Sequence, residues 1–135
     1  MRRQVLEAGE IDRPAPVLVH GAGRGARMWR RQLGALFDSF HVVAPDLPGF
    51  DGGPGPFSLA AAVESATEVA RQLRPVHLCG HSLGAIVAAR VAVARPRLCR
   101  AGSGIAPACR MPDGRRRPSR EPACPWFRTP GTWCP

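Results

Sequence analysis

Three short apolar runs, separated by stretches with helical spacing of apolar residues, constrain the fold of this chain more than any other feature. In chain order, the runs and stretches cover residues 17–20, 26–37, 41–44, 59–73, 75–79 and 82–94. Ser58 stands where the helix 59–73 needs an N-cap. Strands that alternate with helices through short loops form right-handed crossovers and parallel sheets. The pattern therefore predicts an α/β fold, with a mostly parallel sheet flanked by helices on both faces.

The turn between the third run and the last helix carries the most informative motif. Gly80-His81-Ser82-Leu83-Gly84 has the pattern G-x-S-x-G, and it follows a predicted strand and opens a predicted helix. Small residues are needed two positions either side because the serine of such a turn has a strained backbone and crowded neighbours. The turn would present the Ser82 hydroxyl above the sheet. It would also aim the Leu83 amide, at a helix N-terminus, towards a developing negative charge.

Two further motifs stand in order before this turn. His20-Gly21-Ala22-Gly23 ends the first run, and Asp46-Leu47-Pro48-Gly49 follows the second. With all three motifs, residues 5–106 resemble the α/β-hydrolase superfamily, specifically its esterase and lipase-like members with an H-G-x-G loop. The resemblance implies a small ester-like substrate, no cofactor and no metal, and it makes residues 5–9 the remnant of an early antiparallel strand. It implies Ser82 as nucleophile, Ala22 and Leu83 as oxyanion-hole amides, and a supporting set of His20, Gly21, Gly80, His81 and Gly84.

The chain departs from the family pattern in two places. Phe50 stands where members commonly have a histidine, which changes the packing of that loop but removes no catalytic group. In the family the triad follows the order serine, acid, histidine. All four histidines here precede Ser82, and the only later acids are Asp113 and Glu121. We therefore expect the chain to be weakly active or inactive, either as a truncated or frame-disrupted hydrolase or as a non-catalytic member that keeps a ligand pocket.

A different class of protein is compatible with the same glycines. Gly21, Gly23 and Ala26 fit the pattern G-x-G-x-x-G/A after a strand, and Asp46 ends the next strand. This is the fingerprint of an NAD(P)-binding Rossmann-type domain. His20 before the first glycine, and Pro45 and Pro48 around the acid, disfavour that alternative, which also leaves the Ser82 turn unexplained.

Composition excludes several other functions. The net charge of +9 comes entirely from arginine, without any aromatic-basic module, so nucleic-acid binding is not predicted. No apolar stretch is long enough to span a membrane, and no apolar segment follows the first arginines as in a secretory signal. The expected location is therefore the cytoplasm. The five cysteines lack the close pairs of a structural zinc site. Oligomeric state is not indicated.

The last part of the chain has a different texture. Residues 98–106 stand where a further parallel strand belongs, but an arginine and two glycines interrupt the apolar run. Residues 107–135 hold seven prolines and six arginines with no apolar periodicity. We therefore predict an N-terminal hydrolase-like part over residues 1–106 and a disordered tail over residues 107–135.

Overall fold

The computed structural model of the chain describes residues 5–100. The predicted tail, the domain boundary at residue 106, and the acids Asp113 and Glu121 lie outside the described residues. Their assignments stay predictions.

Four strands and three α-helices alternate along the described part. In chain order the elements are β1 (Val5–Ala8), β2 (Ala15–Val19), a 3-10 turn (Ala26–Trp29), α1 (Arg30–Leu36), β3 (Val42–Pro45), α2 (Leu59–Leu73), β4 (Val76–Gly80), α3 (Leu83–Ala94) and a second 3-10 turn (Pro96–Leu98). The Ser58 hydroxyl accepts from the Ala61 amide at 3.0 Å, which confirms the predicted N-cap of α2. The predicted helix 26–37 instead begins as a 3-10 turn. Its first amide, Ala26 N, bonds to Asp46, and Met28 N closes a short turn onto Gly25 O.

The four strands form one sheet in the order β1-β3-β2-β4. β2 runs parallel to both β3 and β4, whereas β1 pairs antiparallel with β3 from Val5↔Pro45 to Ala8↔Val42. The mostly parallel sheet and the antiparallel strand near residues 5–9 are thus confirmed. A parallel bridge from Cys99 to Val76, and a 2.8 Å bond from Arg100 N to Val76 O, continue the sheet beyond β4.

Alternate residues of the strands pack against helices on opposite faces of the sheet. Val17, Val19 and Leu78 point into the core beneath α2 and α3. Leu18 and Val42 belong to the smaller core beneath the first 3-10 turn and α1. Side chains alternate along a strand with period two, so a sheet covered on both faces needs continuous apolar strands. This is why β2 and β3 are buried along their whole lengths. Within residues 5–100, no helix has the length and apolar character needed to cross a bilayer.

Candidate active site

The sheet order determines which loops meet. From β2 the chain crosses to β3 on one side and then returns to β4 on the other, so β2 and β4 are neighbours at the point where the direction of winding reverses. In open α/β sheets, ligands bind beyond the carboxyl ends of the strands at this point. The segment after β2 is His20–Gly23, and the segment after β4 is the turn that holds Ser82.

Contacts join these two segments closely. His81 N donates to Val19 O at 3.0 Å, which continues the β2–β4 ladder into the turn. A Cβ added to Gly21 would lie 2.9 Å from His81 Nδ1 and 3.3 Å from Ser82 Cβ. A side chain at Gly21 would therefore crowd the turn, and glycine eases the close approach of the two segments. The structure therefore brings Ser82 beside the H-G-x-G loop, as the sequence predicted.

Ser82 has the backbone geometry of a strained turn. Its φ is 53° and its ψ is −118°, a conformation that costs a non-glycine residue about 1–3 kcal/mol. The glycines around it explain how the turn closes, because a Cβ at Gly80 would overlap the Gly84 carbonyl and a Cβ at Gly84 would overlap the Val19 carbonyl. The Ser82 side chain is exposed at the rim of the sheet. The strained turn thus leaves the hydroxyl open to a ligand.

Two backbone amides near Ser82 are available for an external acceptor. In the turn, Gly84 N donates to His81 O and Ala85 N donates to Ser82 O, both at 2.9 Å. Neither Leu83 N nor Ala22 N donates to a backbone carbonyl within the described part of the chain. Leu83 is the first residue of α3, where the helix dipole favours negative charge. These are the two amides that the sequence predicted as an oxyanion hole, and that role stays a proposal.

The buried side chain of His20 supports the H-G-x-G loop. Leu47 N donates to His20 Nε2 at 2.9 Å, so the ring proton is on Nδ1, which donates to Gly21 O at 2.8 Å. The Phe50 ring meets the imidazole edge-on, with centroids 5.7 Å apart and planes at 86°. Both nitrogens of His20 are occupied, and His20 is therefore unsuited to act as the base for Ser82.

The other three histidines are no better placed as a base. His41 is buried next to the start of β3, with Nε2 3.4 Å from Glu7 Oε2. His77 lies near the start of β4, and burial followed by the charge of Arg100 lowers its pKa. His81 is exposed beside Ser82. No histidine or carboxylate of residues 5–100 forms a hydrogen bond with the Ser82 hydroxyl.

A carboxylate network that the sequence did not predict holds the loop after β3. Asp46 is 2% exposed, and its oxygens accept from Ala26 N at 2.5 Å and Gly52 N at 3.3 Å. Asp51 forms a two-bond ion pair with Arg27, Nε to Oδ2 at 2.9 Å and Nη2 to Oδ1 at 2.7 Å. The hydrogen bond from Arg27 lowers the pKa of Asp51, and the same bond raises the pKa of Arg27. No sequence pattern links an arginine and an aspartate at this separation.

The dinucleotide alternative does not fit this geometry. In a Rossmann sheet the third parallel strand lies beyond the second, but here β4 pairs with β2 on the side opposite β3. The Asp46 carboxylate, which would have to bind a ribose, is buried and bonded to backbone amides. Within residues 5–100 no group of three or more metal-ligating side chains occurs. Fold and turn together define an α/β enzyme scaffold with a serine at its strand-to-helix turn.

Comparison with known proteins identifies the family. Residues 17–134 match the model of the alpha/beta hydrolase family, and the chain belongs to that family. It is 39% identical over 89 residues to pimeloyl-[acyl-carrier protein] methyl ester esterase of Aeromonas hydrophila, covering 62% of this chain and 34% of that protein. It is 42% identical over 62 residues to epoxide hydrolase A of Mycobacterium tuberculosis, covering 45% of this chain and 19% of the relative.

A solved structure gives the same answer at the level of the fold. Epoxide hydrolase VrEH1 of Vigna radiata superposes with a TM-score of 0.64 and 30% identity, over 72% of this chain and 32% of that one. The chain thus spans about a third or less of the length of these relatives. These relatives include both an esterase and epoxide hydrolases, so the similarity alone does not indicate a single reaction.

Proposed function

We propose that this chain carries the nucleophile and oxyanion hole of a hydrolase that cleaves ester or related acyl bonds through Ser82. The observation that carries the proposal is the strained backbone of Ser82, beside the H-G-x-G loop, where a Cβ at Gly21 would crowd His81 and Ser82. Strain of this kind persists only where the surrounding structure imposes it, and it concentrates at functional sites.

The chemistry follows from the groups that meet at this rim. The Ser82 oxygen attacks the carbonyl carbon of a small-molecule ester, and its proton leaves to a base. The carbonyl oxygen becomes an oxyanion, which the Ala22 and Leu83 amides would stabilise. Collapse of this intermediate expels the alcohol, and attack by water on the acyl-serine then releases the acid.

The identity of the nucleophile favours an acyl substrate over an epoxide. If a serine oxygen opened an epoxide, the product would be an ether, which water does not cleave under mild conditions. Attack on an acyl carbon instead gives an ester, which the same oxyanion hole helps water to cleave. Ser82 therefore supports the chemistry of the esterase among the relatives.

The described residues supply no base for this serine. A serine hydroxyl at its free pKa is a weak nucleophile, and each described histidine is occupied elsewhere or has no hydrogen bond to Ser82. We therefore propose that this chain, taken alone, is acylated slowly and turns over poorly. Binding and the oxyanion hole would remain, and elsewhere these preserve about 10³–10⁴-fold acceleration over water.

An activated ester tests the proposal. We expect p-nitrophenyl acetate to release nitrophenolate slowly, with one acetyl group located on Ser82 by peptide mass spectrometry. Ser82→Ala should abolish this acetylation. Ser39→Ala, which removes another exposed serine, should retain it. Equal acetylation of the Ser82→Ala protein would disprove the assigned nucleophile, and fast multiple turnover by the parent chain would disprove the missing base.

A further inference from the structure

The ion pair between Arg27 and Asp51 occupies an unusual backbone position. Asp51 has a φ of 43°, and within residues 5–100 it shares a positive φ with no other non-glycine residue except Ser82. Gly23, Gly49 and Gly55 show that this chain uses glycine where similar angles are needed nearby. A carboxylate at such a position loses the relaxation that glycine would give. Aspartate tolerates such angles better than most residues, and its contacts show what the side chain adds at this position.

Those contacts all lead to the segment before α1. Arg27 is the second residue of the 3-10 turn, which starts at Ala26, two residues beyond the end of the H-G-x-G loop. Both carboxylate oxygens of Asp51 bond to its guanidinium, in the fork geometry that fixes direction as well as distance. A Cβ at Gly25 would lie 2.5 Å from Asp51 Oδ2 and 2.9 Å from Asp46 Oδ1. The H-G-x-G loop and the two residues after it form one glycine loop, residues 20–25, whose end is thus enclosed between two carboxylates.

The beginning of the same loop is fixed separately. His20 accepts from Leu47 N and meets the Phe50 ring edge-on, and both partners belong to the loop after β3. Between this anchor and Gly25, Ala22 is flanked by two glycines. A glycine-rich segment of this kind has much conformational freedom to lose. The Ala22 amide can therefore keep one direction only if both ends of the segment are held.

We infer that the Arg27–Asp51 pair is a positioning element for the oxyanion hole, holding the far end of the glycine loop so that Ala22 N points at the acyl group on Ser82. The inference rests on the proposed function, and it adds two residues that do not touch the substrate. It also explains the exposure of the pair. An ion pair this exposed, with side chains 63% and 28% accessible, adds little to global stability. Its effect is on local geometry.

The test uses the full chain and the variant Asp51→Asn, because asparagine tolerates positive φ as aspartate does but removes the charge. We expect the acylation rate at saturating p-nitrophenyl acetate to fall about tenfold with little change in the half-saturating concentration, since displaced oxyanion donors act on the transition state. Arg27→Lys keeps the positive charge but not the two parallel hydrogen bonds, and its acylation rate should lie between those of the parent and Asp51→Asn. Glu10→Gln breaks the exposed Arg13–Glu10 pair, also a short one at 3.1 Å, and should leave the rate unchanged.

A second measurement separates this inference from the proposed function. The amide signal of Ala22 in a ¹H–¹⁵N spectrum should shift in Asp51→Asn and stay in place in Glu10→Gln, while the melting temperatures of both match the parent. If the parent chain is never acylated, the proposed function fails but the Ala22 signal still reports on the pair. An unmoved Ala22 signal, or an acylation rate equal to the parent's in Asp51→Asn, would overturn the inference.

Discussion

Replacing Gly84 by alanine should destabilise the protein although alanine is the better helix former. Gly84 is the second residue of α3, where alanine would gain about 1 kcal/mol of helix propensity. Its Cβ would overlap the Val19 carbonyl oxygen and lie 2.6 Å from His20 O. Both atoms are backbone, so neither can rotate away. The gain in propensity is therefore set against a collision between a helix and the central strand.

The magnitude follows from the atoms that would have to move. The Val19 carbonyl accepts the 3.0 Å bond from His81, so retreat by the roughly 1 Å that van der Waals contact requires would break it. Loss of that bond costs about 1 kcal/mol, and overpacking costs about 1–3 kcal/mol more. After the propensity gain is subtracted, we expect the free energy of unfolding to fall by about 2 kcal/mol. This corresponds to roughly 10 °C in melting temperature for a domain of this size.

Urea titration followed by far-ultraviolet circular dichroism measures this difference. Gly34→Ala is the matched control, because Gly34 lies in α1 with no atom within 4 Å of an added Cβ. There the propensity gain acts alone, and we expect stabilisation by about 1 kcal/mol. The two substitutions should thus have opposite signs. If Gly84→Ala were as stable as Gly34→Ala, the close approach of α3 to β2, and with it the geometry of the Ser82 turn, would be wrong.

Two further predictions concern the site and the sheet. Ser82→Gly should raise the free energy of unfolding by about 1 kcal/mol and abolish acylation, because glycine adopts the positive φ without strain. Thermal denaturation measures this gain against Ser82→Ala, which keeps the strain. Equal stability of the two variants would contradict the prediction. The lowered pKa of His77 means that the folded state binds fewer protons than the unfolded state near the ordinary value of 6.5. Stability should therefore fall as the pH is lowered through about 6.5, and urea titrations at pH 8 and pH 5 measure this loss. His77→Gln should make the difference in unfolding free energy between the two pH values smaller. A difference as large as the parent's would contradict the prediction.

The sequence alone predicts those elements that depend only on the types and spacing of neighbouring residues. The β2 and β3 runs, the Ser58 cap, and the glycines of the Ser82 turn each have a spacing that few structures satisfy, and the structure contains them. Helix 26–37 was predicted without its opening 3-10 turn. That turn depends on a bond from Ala26 to Asp46, which no local periodicity reveals. Contacts between segments far apart in the chain decide such details.

The site shows the same division between local and long-range information. Ser82 and the loop beside it were predicted from motifs, because glycine is required wherever two backbones approach this closely. The Arg27–Asp51 pair could not be predicted, since charge alone does not pair one arginine among many with one aspartate. The sequence identified Phe50 only as a departure from the family pattern. In the structure its ring packs on His20, and hence it belongs to the support of the loop.

The pairing of β2 with β4 has a consequence for folding. Val19 and Gly80 are partners in the sheet although the whole of α1, β3 and α2 lies between them in the chain. Contacts so distant in sequence form slowly, because the entropy of closing the intervening loop is lost before the contact returns any free energy. In a partly folded chain that had joined β2 only to β3, the glycine loop would be present but the Ser82 turn would not yet lie beside it. The reactivity of Ser82 would therefore appear only when both crossovers are complete, and its rate of appearance would report on the final step of sheet assembly.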